Sequence, residues 1–139
     1  MKWILLMIST LLLSGCPGTR DRIPSTEKAD VILQKNEVCV RVQPHDDEKL
    51  EAISIYPLSQ SEGRTTRFFS PMVSVNATTC LPNNGFDYED NIAYHYSVKL
   101  TSAKKQSAQQ WPFSREFEVE FRVKKSDGKM QIETLVPQR

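Results

Sequence analysis

Three thiols carry the most legible chemistry in this chain: Cys16, Cys39 and Cys80. Cys16 closes the stretch Leu13-Ser14-Gly15-Cys16, where an apolar run ends in small residues and then a cysteine. That is the pattern of a bacterial lipobox, in which the thiol receives a diacylglyceryl group, the peptide is cut before it, and the new amino terminus is acylated. One cation, Lys2, precedes the apolar run from Trp3 to Leu13. At 11 residues the run falls short of a hydrocarbon core that needs about 20. Residues 1–15 therefore read as a lipoprotein signal peptide and Cys16 as the first mature residue. Two or three acyl chains hold a protein on a bilayer far more firmly than one. The mature chain is expected on the cell envelope, tethered through its lipid, and Pro17 in place of an aspartate is compatible with the outer membrane facing the periplasm.

With Cys16 assigned to lipid, two cysteines remain in a chain sent to an oxidising compartment, and a Cys39–Cys80 disulfide is the economical reading. Closing a loop of about 41 residues contributes roughly 4 kcal/mol in the chain-entropy account. A reactive or metal-binding thiol pair would need a CxxC spacing or a histidine nearby in sequence, and neither is present.

Catalysis needs a nucleophile beside a base, paired carboxylates in divergent environments, or metal ligands at suitable spacing. None of these patterns occurs. His45 and His95 are far apart in sequence and read as solvated surface residues, no serine lies in a GxSxG or SxxK context, and five glycines build no phosphate-cradling loop. No enzyme activity, cofactor or metal is expected. Two acidic clusters stand out: Asp46-Asp47-Glu48 with Glu51, and Asp87 with Glu89 and Asp90. Both are compatible with solvated loops, and the second lacks the spacing of a calcium cage. That second cluster, flanked by Phe86 and Tyr88, is the candidate partner-binding loop. Phe86 and Tyr88 would anchor a basic partner while Asp87, Glu89 and Asp90 steer its approach. Trp111-Pro112-Phe113 reads either as a binding patch or as core at a strand entry.

These groups must be held by strands. Removing the first 15 of 139 residues leaves 124, enough for one domain and a tether. Loss of Lys2 from 18 basic residues leaves 17 against 17 acidic ones, so net charge favours no nucleic acid. Residues 16–28 are polar and read as a lipidated cysteine with a flexible tether, and residues 29–139 as a single domain. Val31 and Leu33, the turn Lys35-Asn36, and Val38, Val40 and Val42 describe a hairpin. Leu50, Ala52 and Ser54 alternate against Glu51, Ile53 and Ile55; Thr65 to Phe69, Met72 to Val75 and Thr79 to Leu81 are three further short candidates. Tyr94, Tyr96, Val98 and Leu100 alternate strictly with polar residues. Phe117, Val119, Phe121 and Val123 do the same before Ser126-Asp127-Gly128 turns the chain into a terminal hairpin. Ser102 to Gln110 has helix-forming residues but no apolar stripe, so a loop or one helical turn is expected. The whole predicts an all-β fold, an immunoglobulin-like or transthyretin-like β-sandwich of about seven to nine antiparallel strands.

The signal ending Leu13-Ser14-Gly15-Cys16-Pro17-Gly18 and the segments Asn36-Glu37-Val38-Cys39-Val40, Ile53-Ser54-Ile55-Tyr56-Pro57, Phe69-Ser70-Pro71 and Cys80-Leu81-Pro82 accompany the aromatic strand Ile92 to Leu100. In this layout the chain resembles enterobacterial type VI secretion immunity periplasmic lipoproteins, over nearly its full length. The resemblance implies a non-enzymatic inhibitor that binds a toxic effector delivered into the periplasm and occludes it. The alternative is a structural outer-membrane lipoprotein subunit of a secretion or envelope assembly. Either reading implies a protein partner and a membrane contact through the N-terminal lipid.

Overall fold

The computed structural model describes residues 25–82 and 85–136. The signal peptide, the lipidation site Cys16 and most of the expected tether lie outside the described residues.

The described residues form eight strands in two sheets: β1 (Thr26–Lys28), β2 (Asp30–Gln34), β3 (Glu37–Arg41), β4 (Lys49–Pro57), β5 (Thr65–Ser74), β6 (Ile92–Thr101), β7 (Ser114–Ser126) and β8 (Lys129–Leu135). The larger sheet runs β1-β7-β6-β4-β5, with β8 sharing the β1 side of β7. The smaller sheet is the β2–β3 hairpin, packed over the larger. This is the expected all-β sandwich, with one parallel pair, β1 on β7. Thr26–Lys28 thereby leaves the expected tether and joins the fold. Two main-chain bonds bracket it, Glu116 N–H to Ser25 O at 3.2 Å and Ala29 N–H to Glu118 O at 2.9 Å. Ala29, fully buried, is where the chain crosses from one sheet to the other.

Turn chemistry sets both hairpins. Lys35 and Asn36 take φ of 51° and 61°, and Asp127 and Gly128 take 50° and 72°, the paired left-handed geometry that matches the twist of flanking strands. The Asn36 side chain then ties the hairpins together: its amide donates to Gly128 O at 2.9 Å and its oxygen accepts from Met130 N–H at 2.8 Å.

β6 and β7 supply the centre of the core, burying Tyr94, Tyr96, Val98, Leu100, Phe117, Val119, Phe121 and Val123. β4 departs from the expected alternation. Its register shifts between Leu50 and Ala52, so Leu50, Ile53 and Ile55 all face inward and Glu51 is the extra residue. Opposite that bulge β5 loops out: Leu50 pairs with Val73 and Ala52 with Phe68, leaving Phe69 to Met72 facing a single residue. The two candidates Thr65 to Phe69 and Met72 to Val75 are thus one strand with two pairing stretches. Thr79-Cys80-Leu81 is not a strand. It is held against β3 by Leu81 N–H to Val40 O at 2.8 Å and by the Cys39–Cys80 disulfide, whose Cα atoms are 5.0 Å apart. Between β6 and β7, α1 (Ala103–Ser107) is the expected short turn, capped by Ser102 Oγ accepting from Lys105 N–H.

Candidate interaction surface

The outer sheet edge at β5 gathers the side chains most available to a partner. Among the described residues β5 pairs with β4 alone, so one row of its backbone groups has no strand beside it there. Thr65, Thr66, Arg67 and Phe68 are all exposed. Phe68 is 72% exposed, far beyond the other large apolar strand residues. Strand alternation puts Phe68 on the outer face and Arg67 on the face of Ile53. The Arg67 guanidinium lies 5.2 Å from the Phe69 ring centre, and that of Arg64 lies 4.7 Å from Tyr56. Neither guanidinium has an ion pair or hydrogen bond among the described residues.

Beside Arg67 a cleft of about 370 Å³ opens toward the core, floored by Ile53, Ile55, Pro82 and Phe86, with Thr65 and Arg67 on one rim and Asp87 on another. It exists because the β2–β3 hairpin covers β7 and β8 while only the crossover between β5 and β6 covers this corner. On the outer face Tyr56 stacks on His95, ring centres 4.8 Å apart and planes within 23°. His95 Nδ1 is 3.3 Å from Glu120 and Nε2 3.9 Å from Glu118, and its side chain is 12% exposed. This corrects the expectation of a solvated His95: it does face away from the core, but the Tyr56 ring and two carboxylates enclose it. His45 is exposed as expected.

The loop Phe86 to Asp90 is divided between core and solvent. Tyr88 is only 3% exposed and packs edge-on against Phe86 and Tyr94, ring centres 4.7 and 5.1 Å away. Its expected part as a partner anchor is corrected: an aromatic in a cluster of aromatics is worth more to the core than to the surface. Phe86 is half-buried beside it and shows one side to the cleft. Burial raises the Tyr88 phenol well above its ordinary value, and its hydroxyl has no hydrogen-bond partner among the described residues. Asp87, Glu89 and Asp90 remain exposed. Asp90 accepts from Lys125 N–H at 2.6 Å, and Asp87 lies 3.6 Å from the Lys125 ammonium.

The other acidic cluster is structural at Asp47, Glu48 and Glu51, while Asp46 stays exposed. Glu48 is buried and takes two bonds from Arg115, 2.8 Å from Nε and 2.7 Å from Nη2. Arg115 also donates to Glu27 on β1 at 2.7 Å and to Gln43 O at 2.8 Å, closing the end of the core between three chain segments. Burial works to raise the Glu48 carboxyl, but the Arg115 guanidinium and the His45 N–H outweigh it and hold the group below its usual range. The same pairing raises Arg115, against the effect of burial. Asp47 accepts from Ser102 Oγ at 2.5 Å and from Lys104 N–H at 3.0 Å, bonds that lower its carboxyl and fix α1. Glu51, at the bulge, bonds Lys99 at 3.1 Å and accepts from Thr101 Oγ1.

Trp111 is 47% exposed and packs against Phe113, ring centres 4.0 Å apart and planes inclined at 44°, so the segment forms a surface patch and not core. Among the described residues no three His, Cys, Asp or Glu side chains converge in a geometry that could hold a metal ion. The β5 edge and Arg115 were not singled out from sequence. A strand with one arginine and no acid, TTRFF, directly after Arg64, was the available signal for the first; nothing local marked the second.

Neither a curated protein nor a solved structure matches the chain. A family model does match, from the first residue of β1 to the last of β7, and on residues 26–126 the chain belongs to the family described as a domain of unknown function (DUF7480).

Proposed function

We propose that the protein is a lipid-anchored periplasmic binding protein, an immunity protein that neutralises a type VI secretion effector by occlusion. The observation that carries this reading is the β5 edge. A phenylalanine left 72% exposed on a strand, beside an open cleft and two guanidiniums without counter-ions among the described residues, is the composition of a protein contact surface. Aromatic and arginine side chains dominate the energetics of such surfaces. Occlusion asks for a stiff scaffold and complementary shape, and the disulfide and the strand-locked core supply stiffness. Cys16 would carry the lipid that keeps the inhibitor where effectors arrive.

The test is protection. Cells exporting the product of the adjacent gene to the periplasm should grow when this protein is present, and the two products should co-purify. Phe68→Ser combined with Arg67→Glu should abolish both effects with the fold intact by circular dichroism. Globomycin or Cys16→Ser should leave unprocessed precursor. Absence of both binding and protection would refute the immunity reading, and loss of secretion on deletion of the gene would favour a subunit of the secretion assembly.

A further inference from the structure

We infer that β5 is a receptor strand: it takes an extended, acidic segment of a partner protein, which adds to the larger sheet beyond β5 through Thr65–Phe68. The inference rests on the reading of this protein as a binding protein and names the surface and the chemistry of its partner.

Backbone supply comes first. Among the described residues β5 bonds only to β4, and no main-chain hydrogen bond outside that ladder involves Thr65 to Phe69. Alternate residues therefore hold an N–H and a C=O outward, the template for strand addition. The bulge at Phe69 to Met72, with Pro71 inside it, limits regular pairing to the stretch from Thr65 to Phe68. A guest strand of about four to six residues is the match.

Charge selects the guest. The strand carries Arg67 and no carboxylate, and Arg64 leads into it, while the nearest acid in sequence, Glu62, lies in the turn before Arg64. Both guanidiniums lie against aromatic rings and have no counter-ion among the described residues. A second copy of this edge would bring two more cations and no acid, so the charges that disfavour self-pairing favour an acidic strand. Asp87 on the far rim, itself 3.6 Å from Lys125, keeps a guest carboxylate on the Arg67 side and out of the cleft floor. The chain's own β1 enters at the opposite edge of the sheet, beyond β7, β6 and β4.

Side-chain spacing then fixes the pattern. A guest residue opposite Arg67 shares its face and should be Asp or Glu. Two residues along, opposite Thr65, a branched apolar side chain would enter the cleft floored by Ile53, Ile55 and Phe86. On the other face the residue opposite Phe68 should be aromatic or β-branched, covering a ring that now faces water.

The probe is a fluorescein-labelled octapeptide with Val-Glu-Thr-Val at its centre, which sets glutamate opposite Arg67 and valine opposite Thr65 and Phe68, with a counterpart carrying lysine in place of the glutamate, titrated against the full chain at low and high salt. The acidic peptide should bind, slow amide exchange at Thr65 to Phe68, and weaken with salt. The lysine peptide should bind about tenfold more weakly, and Arg67→Glu, an exposed change, should reverse the preference. No binding of the acidic peptide at millimolar concentration, equal binding of both peptides, or exchange protection that spares β5 would overturn the inference. The adjacent gene's product separates the two readings. If it fails to bind while the acidic peptide protects β5, the immunity reading falls and the receptor strand stands. If it binds parent and Arg67→Glu equally, the receptor strand falls and the immunity reading stands.

Discussion

Replacing Arg115 by methionine should be the most damaging single polar-to-apolar change in the domain. The side chain is 10% exposed and its partner Glu48 is 4% exposed, with two bonds of 2.7 and 2.8 Å between them. Methionine keeps much of the aliphatic volume that packs beside Phe117, so the loss is chiefly electrostatic. Leaving a buried carboxylate without its cation costs about 3–5 kcal/mol. The Glu27 bond adds at most about 1 kcal/mol, because that carboxylate is 45% exposed and solvent-screened. Against a net stability of about 5–15 kcal/mol this is a large fraction. At about 4–8 °C per kcal/mol a loss of about 3–5 kcal/mol should lower the midpoint by roughly 12–40 °C.

The pH dependence separates this cause from lost packing. In the parent the Glu48 carboxyl is held low, so the pair's contribution is complete above the unfolded carboxyl pKa of about 4.3 and fades as pH falls through the lowered value. In Arg115→Met the same carboxyl is buried without a cation and rises above its unfolded value. The variant then loses stability as pH climbs through that raised value and recovers part of it on acidification. Urea unfolding of both proteins between about pH 7 and pH 4.5 should show a gap widest at neutral pH. A gap under about 1 kcal/mol, or one of constant size across the range, would refute the argument. Arg115→Met combined with Glu48→Met should recover much of the loss, since an apolar pair of similar volume is often as stable as the buried ion pair it replaces.

Two further outcomes follow from the core. Cys39→Ala with Cys80→Ala should lower stability by about 4 kcal/mol through the freed 41-residue loop, with non-reducing mass spectrometry of the parent showing no free thiol at either position. Tyr88→Phe should be neutral or stabilising by up to about 1 kcal/mol, because its buried hydroxyl bonds to nothing among the described residues, whereas Tyr88→Ala should cost about 3–5 kcal/mol in thermal or urea unfolding; a Tyr88→Phe variant clearly less stable than the parent would contradict the placement of that hydroxyl.

What sequence revealed tracks how local each cause is. The turns at Lys35-Asn36 and Asp127-Gly128, and the alternation of Tyr94, Tyr96, Val98 and Leu100, are set by neighbours one to four residues away, and all three were readable. The alternation of Leu50 with Ala52 misled because one bulged residue, Glu51, exchanges faces for everything after it. Glu48 read as one more carboxylate in a polar turn because its cation stands 67 residues away. Tyr88 followed the same logic: beside three acids it looked exposed, yet its environment is made by Tyr94 and Phe121 from two other strands. The disulfide was readable by elimination among three thiols. The β5 edge was not, since which strand lies outermost depends on the order of the whole sheet.

The parallel pairing of β1 with β7 also gives the molecule a polarity. Thr26 stands level with Glu116, near the end of the sheet where Ser114 and Thr101 meet, and β1 climbs from there toward Glu118. Ile55 and Thr65, at the cleft, are level with Tyr96 and Val119, three residues or about 10 Å further up the same axis. A chain held by its N-terminal side is therefore held from below. Trp111 and the Lys104-Lys105 turn, which precede the start of β7, share that lower end. Were the chain held through Cys16 as proposed, the aromatic and its two neighbouring cations would lie at the held end, with the cleft and the β5 edge about 10 Å further along the strand axis.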